Sequence, residues 1–112
     1  MIDMSTMKLE FFEPPMCCST GICGPSVDER LIRLNENIQL LQKKYPDIRI
    51  ERYQISRQPL KFKDNSEVFA KVQEQGQRTL PLTVWNGKVV KEKEYPELLE
   101  LENLIAQGSE NR

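Results

Sequence analysis

The sequence predicts an α/β domain, a mixed four-stranded sheet with helices on both faces. Three observations predict it. Short apolar runs alternate with helical stripes through the first two thirds of the chain, the pattern of strands joined by crossover helices. Asn86-Gly87 stands between two apolar runs, which is the strongest short-range hairpin signal. A proline-led helical stripe then closes the chain. The element order is strand, helix, strand, helix, strand, strand, helix (βαβαββα).

Each element has its own justification. Lys8-Leu9-Glu10-Phe11-Phe12 reads as the first strand, with Leu9 and Phe11 on one face, and Pro14-Pro15 ends it. Ser26-Val27-Asp28-Glu29 has the spacing of a capping box. The helix that follows carries Val27, Leu31, Leu34, Ile38 and Leu41 as one apolar stripe. Lys43 and Lys44 suit its C-terminal end, and Pro46 stops it. The run from Ile48 to Ile55 is the second strand. Its alternation slips between Ile50 and Tyr53, so a bulge or two partly covered faces are expected.

Gln58-Pro59 reads as a loop. Asp64 is the expected cap of the next helix, with Glu67 three residues on, Val68, Phe69 and Val72 buried, and Gly76 just past the end. Thr79 to Trp85 and Lys88 to Val90 flank the Asn-Gly turn. Pro96 is tolerated at a first helical position. The last helix buries Leu98, Leu101, Leu104 and Ile105, and Gly108 is its expected end.

At 112 residues the chain is one domain. Residues 1–7 read as a flexible extension, 8–108 as the folded domain and 109–112 as a frayed tail. With 16 basic and 17 acidic residues the net charge is −1, and no basic block suggests nucleic acid. No apolar run is long enough to span a membrane. The opening residues carry Asp3 and lack an apolar core, unlike a signal peptide; Met7 is an alternative start. An odd number of cysteines, 3 in all, clustered in one loop, argues for a reducing cytosol over a secreted disulfide framework.

The element order matches the thioredoxin-like fold. Two details agree. The cysteine run sits between the first strand and first helix, where that fold keeps its active site. Leu80-Pro81 lies at the start of the third strand, where the fold places a cis-proline facing the thiols, so the resemblance implies a cis bond here.

Pro15-Met16-Cys17-Cys18-Ser19-Thr20-Gly21-Ile22-Cys23-Gly24 holds every cysteine of the chain. Gly21 and Gly24 let such a segment fold back and bring three sulfurs together. A helix start just beyond it favours thiolate over thiol. Zinc wants four ligands, usually cysteine and histidine, and the chain has no histidine and no fourth cysteine. The two-residue spacing of redox pairs is absent, although Cys18 with Cys23 could pair. A soft ion that prefers three sulfurs fits better. Trivalent arsenic and antimony each bind three thiolates in a pyramid, with a lone pair in the fourth direction. Cuprous copper also accepts two or three sulfurs, and ligand count alone does not separate the three.

The run Phe12-Glu13-Pro14-Pro15-Met16-Cys17-Cys18-Ser19-Thr20-Gly21-Ile22-Cys23-Gly24 closely resembles the N-terminal motif of the ArsD family of arsenical-resistance proteins. Ile50-Glu51-Arg52-Tyr53, Gln58-Pro59 and Leu80-Pro81-Leu82 extend the similarity over roughly residues 8 to 105. The resemblance implies a cytoplasmic, non-enzymatic metallochaperone that binds arsenite or antimonite on Cys17, Cys18 and Cys23. It would pass the ion by thiol exchange to the ATPase of an arsenite efflux pump. It also implies a weak trans-acting repressor of the resistance operon. No resident cofactor is implied; the metalloid is cargo. Some family members carry further cysteine pairs near the C-terminus, which this chain lacks.

The sulfur chemistry suits delivery on its own terms. An incoming thiol attacks the ion one sulfur at a time, as thiols exchange through mixed intermediates. A thioredoxin-like thiol-disulfide oxidoreductase is the alternative, resting on element order and Pro81. Operator DNA is a partner by resemblance only, because the sequence shows no helix-turn-helix signal and no basic stripe. DNA binding would call for a homodimer on symmetric half-sites. Met16 reads as packing, Trp85 with Asn86 as hairpin structure, and Lys91 to Glu94 as a solvated edge. Arg57, Lys61 and Lys63 read as a solvated loop.

Overall fold

A computed structural model describes residues 7–15 and 29–110. Among them four strands form one sheet in the order β2-β1-β3-β4: β1 is Lys8–Glu13, β2 Arg49–Gln54, β3 Leu82–Trp85 and β4 Lys88–Glu92. β1 and β2 run parallel, while β3 is antiparallel to both β1 and β4. Helix α1 (Glu29–Lys44) connects β1 to β2, and α4 (Leu98–Glu110) ends the described chain. This is the thioredoxin-like mixed sheet that the element order predicts.

The two faces of the sheet have separate cores. On one, Leu9, Phe11 and Trp85 pack with Leu34, Ile38 and Leu41 of α1 and with Leu101 and Ile105 of α4. These are the stripe positions expected of both helices, so the helical period places this half of the core. On the other face Phe12, Tyr53, Leu82 and Val84 pack against Phe62 and Val68. Phe12 is the hub, with its ring centroid 5.1 Å from Phe62 edge-on and 5.0 Å from Tyr53 at a tilt, separations at which aromatic pairs attract.

The second crossover departs from expectation. It holds two helices, α2 (Pro59–Asp64) and α3 (Ser66–Gln75), before a 3-10 turn at Gly76–Thr79, so the order is βαβααββα. Gln58-Pro59 is a helix start and not an open loop. Pro59 occupies the first turn, where a missing N–H costs nothing. The cap of α3 is Asn65 and not Asp64: its Oδ1 accepts from the N–H groups of Glu67 at 3.0 Å and Val68 at 3.2 Å. Val68 is buried, whereas Phe69 and Val72 are half-buried. Gly76 closes the helix with φ 67°, as expected of a glycine there.

The slip in β2 comes from two partly covered faces; pairing with β1 is unbroken from Lys8↔Arg49 to Glu13↔Gln54. A bulge does occur between β3 and β4, at Thr83/Val84. The hairpin turn is Asn86-Gly87, both with positive φ (52° and 89°), which that pair adopts readily. Met7, at the end of the expected N-terminal extension, is instead buried in the core, and its carbonyl accepts from Arg49 N–H at 3.1 Å. α4 runs past Gly108 to Glu110, because a single glycine near a helix end weakens a helix without having to stop it.

Candidate thiol site and its buried support

Cys17, Cys18 and Cys23 lie outside the described residues, as do Met16 and most of the Ser26 to Glu29 capping pattern. The frame on either side of them is described. The cysteine run leaves from the C-terminal end of β1, a central strand, and the chain re-enters the described structure at Glu29 in the first turn of α1. β3 runs beside β1 with Phe12 opposite Leu82, which brings Pro81 alongside Glu13. The Leu80–Pro81 peptide bond is cis, as the resemblance implies. The Pro81 carbonyl accepts from Lys93 N–H at 2.9 Å.

Beneath this departure point lies a buried charged cluster. Glu13 is the last residue of β1, and its side chain is fully buried. Alternation places it on the same face as Leu9 and Phe11. Arg52, on β2, faces the same way because it lies opposite Phe11 in the register. The guanidinium grips the carboxylate as a fork: Arg52 Nε donates to Glu13 Oε2 at 2.7 Å and Nη2 to Oε1 at 2.6 Å. The Tyr95 hydroxyl donates to the same Oε1 at 2.7 Å. Burial works against the Arg52 charge, but Glu13 more than offsets it and the guanidinium is held above its ordinary pKa. Burial, then the Glu13 charge, pushes the Tyr95 phenol up from its ordinary value. Tyr95 also packs on the α1–α4 core and borders a cleft of about 90 Å³ that Arg30 and Asn37 of α1 help line.

Sequence reasoning missed the buried cluster of Glu13, Arg52 and Tyr95. The signal was there in Glu13 and Arg52. Leu9, Phe11, Glu13 and Ile50, Arg52 are inward series, each ending in a charge of opposite sign on neighbouring strands. The opposite sheet face bears a second polar group. The Tyr53 hydroxyl lies 3.0 Å from Glu10 Oε2 and 2.9 Å from Glu51 Oε1. Its single proton serves one carboxylate at a time. Burial first, then those carboxylates, raises the Tyr53 pKa. Lys61 stands over the Tyr53 ring, its Nζ 5.7 Å from the centroid. Arg57, Lys61 and Lys63 are exposed as expected, but Lys61 and Lys63 lie on α2 and not in a loop; two side chains of the expected charged edge pair with helices, Lys91 with Glu100 and Glu92 with Lys71.

Comparison with known proteins places this frame. The model of the family described as arsenical resistance operon protein ArsD matches residues 4–112. The chain belongs to the ArsD family. A relative from Escherichia coli, an arsenical resistance operon trans-acting repressor ArsD, is 39% identical over 93 residues, 83% of this chain and 76% of that protein. A relative from Halobacterium salinarum, a putative arsenical resistance operon repressor ArsD, is 31% identical over 88 residues, 79% of this chain and 81% of its own. The crystal structure of an arsenical resistance operon trans-acting repressor from Bacteroides vulgatus superposes with a TM-score of 0.78 at 30% identity, covering 87% of this chain and 90% of that one. The ArsD family match includes the whole cysteine run and all three members of the buried cluster.

Proposed function

We propose that this ArsD-family chain is a cytoplasmic, non-enzymatic carrier of trivalent arsenic or antimony. Cys17, Cys18 and Cys23 bind the ion as three thiolates, and the ATPase subunit of an arsenite efflux pump receives it by thiol exchange. The observation that carries the reading is the sulfur set itself: three cysteines within seven residues, no histidine in the chain, and a family match that spans them. Three thiolates complete the pyramid of a trivalent metalloid and leave zinc one ligand short. No helix among the described residues is long and apolar enough to cross a membrane, in keeping with a carrier that meets the pump through its ATPase.

Native mass spectrometry of the reduced protein with arsenite, beside Cys17→Ala, Cys18→Ala and Cys23→Ala, tests this. One arsenic bound with loss of three thiol protons, and lost in each variant, is the expected result. Undiminished binding by Cys23→Ala sinks the three-sulfur site.

The names of the relatives favour a second role for the same ion. Both are described as operon repressors, and we propose that this chain also binds operator DNA as a homodimer and lets go when it takes up the metalloid. A gel shift on the resistance promoter tests it: retardation at low salt, relieved by arsenite, is expected. No retardation removes the role.

A further inference from the structure

The geometry points to a second copy of this chain as the partner of the α1–α4 face, with Leu99 of each copy seated between Leu40 and Leu98 of the other. This supplies an interface for the homodimer of the repressor reading, and rests on that reading only for its bearing on DNA.

The edges of the sheet are not built to recruit another strand. On β4 the Val89 N–H donates to Glu67 Oε1 at 3.3 Å, and at the end of β2 the Gln54 N–H donates to Gln58 Oε1 at 3.0 Å. The β3–β4 ladder is also bulged, and β4 carries Lys88, Lys91 and Glu92. Bulges, charges and covered backbone groups keep an edge from pairing. A second copy is left the helical faces to meet.

Among the described residues the most exposed large apolar side chains are Leu60 at 70%, Leu99 at 68% and Leu40 at 52%. Leu60 is on α2, whose Phe62 joins the core of the opposite face. Leu99 and Leu40 belong to α4 and α1, which cover the same face of the sheet. Between these two helices runs an open groove of about 390 Å³, lined by Leu40, Leu98, Lys43, Lys44 and Glu102. Leu99 is the next residue after Leu98. A projecting leucine and an apolar groove therefore lie side by side.

That adjacency decides the occupant. A two-fold axis passing between the two features fills both grooves at once and closes the pair; features far apart would build an open chain of copies. Charge selects the same partner. Glu97, Glu100 and Glu102 lie within three positions of Leu99, whereas Lys43 and Lys44 edge the groove. Lys44 pairs with Glu102 at 2.8 Å, but Lys43 is exposed and makes no ion pair among the described residues. The acidic start of α4 in one copy then faces the Lys43 edge of the other. An interface centred on one leucine from each copy is small, so the dimer exchanges with monomer.

Sedimentation velocity of the reduced full chain over a wide concentration range tests this. Beside it run Leu99→Gln and Leu40→Gln, which keep good helix formers at exposed positions, and Lys43→Glu. Leu60→Gln, an equally exposed leucine on the other side of the sheet, is the control. Wild type should pass from monomer to dimer as concentration rises. Leu99→Gln and Leu40→Gln should each weaken the dimer at least about tenfold, because a two-fold interface feels every substitution twice. Lys43→Glu should weaken it about threefold, and Leu60→Gln should leave it unchanged. A wild type that stays monomeric, a dimer that neither Leu99→Gln nor Leu40→Gln weakens, or equal weakening by Leu60→Gln overturns the inference.

The promoter gel shift is read on the same proteins. No retardation by wild type, with a dimer that Leu99→Gln breaks, removes the repressor role and supports the interface. Retardation by wild type, with a dimer that Leu99→Gln and Leu40→Gln leave intact, supports the repressor role and overturns the interface.

Discussion

The Glu13 carboxylate and the Arg52 guanidinium meet in two parallel hydrogen bonds of 2.6 and 2.7 Å, with the Glu13 side chain fully buried and that of Arg52 12% exposed. Each is the other's condition for being there. Removing one partner leaves a buried charge uncompensated, at a cost of about 3–5 kcal/mol. Arg52→Ala should therefore lower unfolding free energy by about that much in urea titrations. Glu13→Met with Arg52→Met and Tyr95→Phe, which removes the polar cluster together, should recover most of it. A triple variant no more stable than Arg52→Ala would contradict this account.

Tyr53 and Tyr95 give the protein an alkaline limit. Burial comes first in raising both phenols above their ordinary value. A group whose pKa is raised by folding contributes stability that is complete below its unfolded pKa, about 10 for tyrosine. That stability declines as pH climbs above this value towards the folded pKa, because the unfolded chain releases the proton first. The melting temperature should fall steeply above about pH 10. In a Tyr45→Phe background, which leaves Tyr53 and Tyr95 as the tyrosines read, tyrosinate absorbance should rise with unfolding and not before it. Tyr53→Phe should shallow the alkaline fall.

Asn65 separates the two candidate caps of α3. Its Oδ1 accepts from Glu67 and Val68 N–H groups, and its Nδ2 donates to the Gly87 carbonyl of the hairpin turn at 3.1 Å. Asn65→Ala should cost about 1–2 kcal/mol, a lost cap and a lost tertiary bond. Asp64→Ala, at an exposed position, should stay within about 0.5 kcal/mol. Chemical denaturation of the two variants side by side reads the difference, and equal losses would reject the Asn65 cap.

Thr83 offers a stabilising change. It is fully buried on β3, and its hydroxyl has no hydrogen-bond partner among the described residues. Valine has nearly the same shape and suits a strand. Thr83→Val removes a desolvated hydroxyl and should raise stability by about 1 kcal/mol, seen as a higher denaturation midpoint. A lower midpoint would mean that the hydroxyl has a role in the packed sheet.

Much of this fold was legible because its signals are periodic. Leu31, Leu34, Ile38 and Leu41 mark α1 by spacing alone, and Asn86-Gly87 marks the hairpin by backbone chemistry. α2 was not legible. It is six residues long with one buried side chain, Phe62, too short for a helical period to stand out. Its opening Gln58-Pro59 has the composition of a turn. The cysteine run is plain in residue type and spacing, but the buried charged cluster at the end of β1 was not legible. Glu13 and Arg52 are separated by 39 positions and Glu13 and Tyr95 by 82. Strand register brings Glu13 and Arg52 together, and the segment between β4 and α4 adds Tyr95; neither is written in any one segment.

Those same separations bear on portability. All three thiols lie between residues 17 and 23, a stretch short enough to synthesise as a peptide or graft into a foreign loop. The Glu13–Arg52–Tyr95 cluster at the end of β1 is contributed by three stretches of the chain, from the first strand to the segment before the last helix. A graft would carry the ligands and leave that cluster behind.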